Sequence, residues 1–274
     1  MRAIRIAAIG FGLTTSLATA QGVVVAPHAI VVDHRTRSAA ITIYNPGNEP
    51  TEVTIATFYG YPVTDSTGEF ELLTPTDPDP QSAASWIEAY PKRMMIGPLE
   101  KQIVRLLARP PANLPDGEYW SRIMIAAKGG KLPVATPDSG SGIQVGLNLE
   151  VRTILPLQYR KGTLRTEVGL DSLTARRVSD SVAVRVRMVR GGNAAFIGTA
   201  KGELTDQAGR VVGSFAVPIA VYRSVTPRFA IPATGLPAGR YRLALTLSTA
   251  RTDLAADQLV QATPVASRID IDLP

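Results

Sequence analysis

Residues 114–119 read LPDGEY, and 122 residues later residues 236–241 read LPAGRY. Each copy runs straight into alternating side chains, YWSRIMI after the first and YRLALTL after the second. A tight Pro/Gly corner followed by Tyr lets the ring enter a core while its hydroxyl returns to the loop backbone, which pins the start of a strand. Tyr119 and Tyr241 are therefore expected in structural roles. A device used twice at this spacing points to two units of one style, with the function in what the two copies flank.

The rest of the chain agrees with short strands. It is 274 residues long, with 23 Gly, 21 Pro and only 6% aromatic residues, which favours many strands joined by turns over long helices. Alternation predicts strands at 41–45, 52–58, 101–108 and from Tyr119 onward in the first half. In the second half it predicts strands at 182–190, 194–204, 211–222, 228–233, 241–247 and 267–273. The segment 128–142, KGGKLPVATPDSGSG, is too rich in Gly, Pro and Ser to order itself and is expected to be a mobile loop. The expected fold is all-β, with two immunoglobulin-like β-sandwich domains: 1–20 a signal peptide, 21–160 the first domain and 161–274 the second.

The signal peptide is read from MRAIR, an apolar run, and the small residues Ala18 and Ala20 ahead of Gln21. No later segment approaches the roughly 18 uninterrupted apolar residues of a spanning helix, so no integral membrane segment is expected. The chain has no cysteine, which excludes disulfides and thiolate metal sites and leaves burial alone to hold each core. Its formal charge of +6 falls to +4 once Arg2 and Arg5 leave with the signal, a mild excess that suits acidic surfaces or partners better than nucleic acid.

Catalytic and metal-binding patterns are missing from the sequence. The only histidines are His28 and His34, too few soft ligands for zinc or copper. No serine sits in a nucleophile-elbow context and no Gly-rich piece has the spacing that cradles phosphate. Asp77 and Asp79 in PTDPDP could bind calcium, but a solvated loop explains them better. The basic residues Arg160, Lys161, Arg165, Arg176 and Arg177 lack interleaved aromatics and read as a solvated face. No enzyme activity, cofactor or metal is expected.

The cleanest alternation follows the expected loop. Ile143, Val145, Leu147, Leu149 and Val151 fall on one face of a strand, with Gln144, Gly146, Asn148, Glu150 and Arg152 on the other. Two uses of the apolar face stand open: to cover the domain's own core, or to enter a partner's.

Three stretches of residues 23–160 carry a family resemblance: APHAIVV at 26–32, SAAITIYNPGNEP at 38–50, and YPKRMMIGPLEKQIVRLLARPPANLPDGEYW at 90–120. With IQVGLNLEVR and LQYRKG further on, this order of features resembles the periplasmic pilus-assembly chaperones, the PapD-like family. The resemblance covers about half of the chain; the second domain matches in general style only. It implies a periplasmic protein that caps pilus or surface-protein subunits by β-strand addition, with Ile143, Val145, Leu147, Leu149 and Val151 filling the gap in the subunit core. The family grips the subunit's terminal carboxylate with an Arg and a Lys, and those positions fall here on His28 and Arg152. Arg can serve in place of Lys, whereas His is neutral for much of the time at pH 7. Glu118 and Arg160 correspond to the family's interdomain ion pair.

The competing expectation is an immunoglobulin-like adhesion or cell-envelope-binding module with no assembly role, which would expose aromatics such as Phe196 and Tyr222 on second-domain loops. The export reading has a direct check. N-terminal sequencing of the exported product should find Gln21 first, and a retained Met1 would overturn the expectation.

Overall fold

The computed structural model describes residues 22–132 and 147–274. Its first eleven strands are β1 (Val24–Ala26), β2 (Ile30–Asp33), β3 (Ser38–Tyr44), β4 (Thr51–Phe58), β5 (Tyr61–Thr64), β6 (Phe70–Leu73), β7 (Ile87–Tyr90), β8 (Arg93–Ile96), β9 (Lys101–Ala108), β10 (Gly117–Leu132) and β11 (Leu147–Lys161). One sheet has the order β1-β3-β9-β7 and the facing sheet β2-β11-β10-β4-β8, while β5 and β6 form a separate hairpin. The chain enters by giving one strand to each sheet: β1 pairs antiparallel with β3, and after a bend β2 pairs parallel with β11.

Period-two burial builds the core between these sheets. Ile41 and Ile43 of β3, Val104 and Leu106 of β9, and Ile123 and Ile125 of β10 are all fully shielded from solvent. Burying a side chain of this size contributes about 1.5–3 kcal/mol. Leu155, Leu157 and Tyr159 of β11 complete the same cluster.

The second sandwich uses β12 (Thr166–Val178), β13 (Ser181–Gly192), β14 (Phe196–Thr205), β15 (Val211–Val221), β16 (Ser224–Val225), β17 (Arg228–Pro232), β18 (Gly239–Ser248) and β19 (Val265–Leu273). One sheet runs β12-β13-β16 with β17 also on β13; the other runs β15-β14-β18-β19. Its core is separate, built on Val184, Val186, Phe196, Leu204, Leu243 and Leu245 among others. Among the described residues helical structure is limited to the single turns Ala84–Trp86 and Ala256–Gln258. The all-β expectation therefore holds, with two β-sandwiches. None of the described helices is long and apolar enough to cross a membrane.

Two local expectations need correction. The strand β10 does not stop at Lys128 but continues to Leu132, because β11 offers a ladder partner: Lys128 faces Glu150, Lys131 faces Asn148 and Leu132 faces Leu147, with a register shift at the intervening glycines. Residues 133–142 of the expected loop lie outside the described residues. Strand β12, thirteen residues long, was not foreseen; its surface side carries charge, and a bulge between Asp171 and Thr174 breaks the alternation.

Both Leu-Pro corners close in the same way. Tyr119 Oη donates to the Pro115 carbonyl at 2.9 Å, and Tyr241 Oη donates to the Pro237 carbonyl at 2.8 Å, with both residues buried. Between the sandwiches the chain turns at Gly162, with φ of +64°, a left-handed conformation that favours glycine; any larger residue would also have to displace the Asp116 carboxylate. Replacing either corner tyrosine by Phe keeps the ring and removes one neutral hydrogen bond. Tyr119→Phe and Tyr241→Phe should each lower unfolding free energy by about 1 kcal/mol in urea denaturation; an unchanged midpoint would show that the ring alone holds the corner.

Candidate functional site

The hairpin of β10 and β11 differs sharply between its base and its far end. Strand β11 pairs with β10 along its whole length, but β2 covers its other side only from Leu157 to Arg160. Among the described residues no strand pairs with that side of β11 over 147–156. The apolar face of β11 outruns the core beneath it. Tyr159, Leu157 and Leu155 are 0, 1 and 4% exposed, Val151 is half-buried, and Leu149, on the same face, is 38% exposed. A methyl built on Gly22, the first described residue, would lie 3.5 Å from Val151, so the backbone there approaches this part of the face. An unpaired edge with an uncovered apolar face is the arrangement into which another strand can be added.

Of the residues that the sequence singled out, Ile143 and Val145 lie outside the described residues, and Leu147 opens β11. Arg152 is exposed on the opposite face and donates through Nε to Glu150 Oε1 at 2.6 Å; Glu150 also pairs with Lys128 at 3.4 Å. That contact with Arg152 holds the Glu150 carboxyl below its ordinary range. His28 is exposed in the bend between β1 and β2, two residues before β2 meets β11. No hydrogen bond joins His28 to Arg152.

Glu118 and Arg160 stand at the base of the hairpin, opposite one another in its ladder. Arg160 Nε donates to Glu118 Oε2 at 3.0 Å, with the carboxylate wholly buried. Glu118 Oε1 accepts from Trp120 Nε1 at 3.0 Å and from the backbone N–H of Ala195 at 3.2 Å. The other guanidinium nitrogens of Arg160 donate to the carbonyls of Asp257 at 3.2 Å and Gln258 at 2.6 Å. The pair thus binds two strands of the first sandwich to two loops of the second.

Around it lies a junction that sequence reasoning missed. Trp120 is fully buried between Tyr222, whose ring centroid is 4.7 Å away at a near-perpendicular angle, and Tyr61 at 6.3 Å. Arg122, 6% exposed, donates to the Gly60 carbonyl at 2.9 Å and lies 5.1 Å from the Tyr222 ring centroid. Phe196 and Tyr222, expected as exposed loop aromatics, are 0 and 2% exposed: one fills the second core and the other the junction. Asp79 is likewise no free calcium ligand, because its carboxylate pairs with Arg223. The available signal was the alternation itself, which puts Trp120 and Arg122 on the face of β10 opposite Ile123 and Ile125.

No protein-family model matches the chain, and no curated protein matches it. Solved structures do. The YadV chaperone is 14% identical with a TM-score of 0.45, over 91% of this chain and 99% of that one. A chain of the Salmonella enterica SafA pilin complex with the SafB chaperone is 14% identical with a TM-score of 0.43, over 90% of this chain and 96% of that one. A chain of the CsuC-CsuE chaperone-tip adhesion subunit pre-assembly complex, from the archaic chaperone-usher Csu pili of Acinetobacter baumannii, is 13% identical with a TM-score of 0.45, over 92% of this chain and 98% of that one.

The junction makes a quantitative expectation. Removing one partner of a buried, hydrogen-bonded ion pair costs about 3–5 kcal/mol, because the other charge is stranded. Glu118→Gln should show that loss in urea denaturation. The double variant Glu118→Gln/Arg160→Met should recover part of it, and additive losses would mean that the two side chains act independently.

Proposed function

We propose that this chain is an exported, periplasmic chaperone-like protein that binds and caps pilus or surface-protein subunits by β-strand addition. The observation that carries the reading is the free edge of β11 over 147–156 joined to an apolar face that continues past the core. Backbone N–H and C=O groups of that edge supply sequence-independent pairing, and alternate side chains supply fit. In this reading Ile143, Val145, Leu147, Leu149 and Val151 enter the client's core. His28 and Arg152 meet its terminal carboxylate, with Arg152 exchanging its contact with Glu150 for the client. The signal peptide 1–20 and the division into domains at 21–160 and 161–274 belong to the same proposal; the division is supported by two separate core clusters, one drawn from residues 25–159 and the other from residues 168–273.

Position along one strand separates lending from self-covering. Leu149→Glu places a charge where the side chain is already partly in water, so the protein should fold with a melting temperature close to the parent's. Co-expressed with a pilus subunit, it should fail to be recovered in complex, whereas the parent should be recovered. Leu155→Glu buries an unpaired charge in the chaperone's own core and should not fold. Arg152→Ala should weaken capture about tenfold or more through loss of charge-assisted hydrogen bonds. A folded Leu149→Glu variant that captures the subunit as the parent does would sink strand lending through β11.

A further inference from the structure

A cluster of cations without carboxylate partners among the described residues lies away from the β10-β11 hairpin, on the outer face of the β12-β13-β17 sheet. Arg185 of β13 stands directly between Thr174 of β12 and Arg228 of β17, and Arg176 is two residues along from Thr174. Like charges directly opposite one another across a ladder destabilise it. Nothing in the surrounding chain relieves them, since none of Arg176, Arg185 and Arg228 pairs with a carboxylate among the described residues. The neighbouring cation on the same strand shows the contrast: Arg187 faces Asp171 across the ladder and pairs with it at 3.5 Å. Elsewhere in this sandwich Arg242 has Asp270 at 2.8 Å and Lys201 has Glu203 at 2.8 Å.

The three arginines line a cavity of about 420 Å³ together with Thr67, Thr174 and Ala183. One wall comes from the first sandwich, the tip of the β5-β6 hairpin. Gly68 carries φ of +92° and lies so close that a Cβ there would be 2.8 Å from that of Arg228; its carbonyl accepts from the Arg228 backbone N–H at 3.1 Å. Arg185 Nη2 donates to the Ser66 carbonyl at 3.1 Å, which fixes one guanidinium at the wall and leaves its other donors uncommitted. Two acids flank this wall: Asp65 Oδ1 is already used by the backbone N–H groups of Thr67, Gly68 and Glu69 and by the Thr67 hydroxyl within its own turn, and Glu69 forms no ion pair with the three arginines.

We propose that Arg176, Arg185 and Arg228 form an anion site for a phosphate group. Guanidinium forks match phosphate oxygens in pairs, and three of them without a counter-charge favour a doubly charged tetrahedral anion over a single carboxylate. The cavity has room for the phosphate and part of the group that bears it. This site is independent of strand lending, and because its walls come from both sandwiches, an occupant would add to the Gly68–Arg228 and Ser66–Arg185 contacts that already join them there.

The test uses the mature chain and two probes. Calorimetric titration with inorganic phosphate, against chloride at equal ionic strength, should give saturable binding. Arg176→Gln and Arg228→Gln, both at exposed positions, should each weaken it about tenfold, while Arg187→Gln should leave it unchanged. Flotation with phosphatidic acid vesicles, whose headgroup is a phosphomonoester, against phosphatidylcholine, distinguishes the source: retention that Arg228→Gln abolishes assigns the site to a lipid headgroup, and phosphate binding without retention assigns it to a soluble phosphate compound. Failure of the parent to bind either probe overturns the site. So does equal loss on Arg187→Gln and Arg228→Gln, which would reduce the effect to net charge.

Discussion

One buried carboxylate decides how the two sandwiches stand. Glu118 is 1% exposed, and both of its oxygens are used, by Trp120 and Ala195 on one side and by Arg160 on the other. An ionised carboxyl removed from water is tolerated only when its lone pairs are filled. Each donor comes from a different piece of structure: its own strand, the partner strand β11, and the residue just before β14 in the other sandwich. Arg160 then carries the link onward to the loop at 257–258. Moving either sandwich by an ångström or two would strand a charge, so the orientation is held by the cost of breaking the network more than by the strength of any single bond.

That fixed base gives the far end of the hairpin its character. Residues 117–123 of β10 are buried on both faces, the inner by the first core and the outer by the second sandwich. At about 3.3 Å per residue, the fifteen residues of β11 span about 50 Å, more than the core beneath them needs. The strand therefore leaves the core with its alternation intact. Its outer face is guarded by the Lys128, Glu150 and Arg152 charges, which is how natural edges discourage indiscriminate pairing. Its inner face has no such guard at Leu149, and that asymmetry sets it apart from a merely frayed edge.

Much of this was legible in the sequence, for a physical reason: a strand buried on one face must alternate, and β3 and most of β18 do so cleanly. The corners at 114–119 and 236–241 were legible because their chemistry is local. What failed was long-range. Strand β12 hid behind a bulge and a run of surface charge, and the β5-β6 hairpin behind Pro62. The loop at Lys128 was placed too early because Gly129 and Gly130 suggest disorder until a partner strand is there to hold them. For the site, alternation put Leu149 and Val151 on one face but could not say where the core under that face ends. Nor could it say that a second sandwich covers Trp120, Arg122 and Tyr222, since which outer face is covered depends on the other half of the chain.

The junction's composition follows from what it must do. Three guanidinium groups lie over aromatic rings there: Arg122 over Tyr222, Arg190 over Trp120 at 5.4 Å and Arg223 over Tyr61 at 5.2 Å. Burial and the neighbouring charge of Arg223 lower the Arg190 pKa, yet arginine starts so high that it keeps its proton, which a lysine in the same place would be far readier to lose. Aliphatic side chains would have buried the same surface at less electrostatic cost, but their attraction has no direction and would let the sandwiches slide. Ring faces, carbonyls and a carboxylate each accept a guanidinium from only a narrow range of angles. An interface made of them gives up stability for a defined angle. Under the proposed strand addition, an open edge that meets a partner in one orientation, relative to everything behind that edge, gives reason for that exchange.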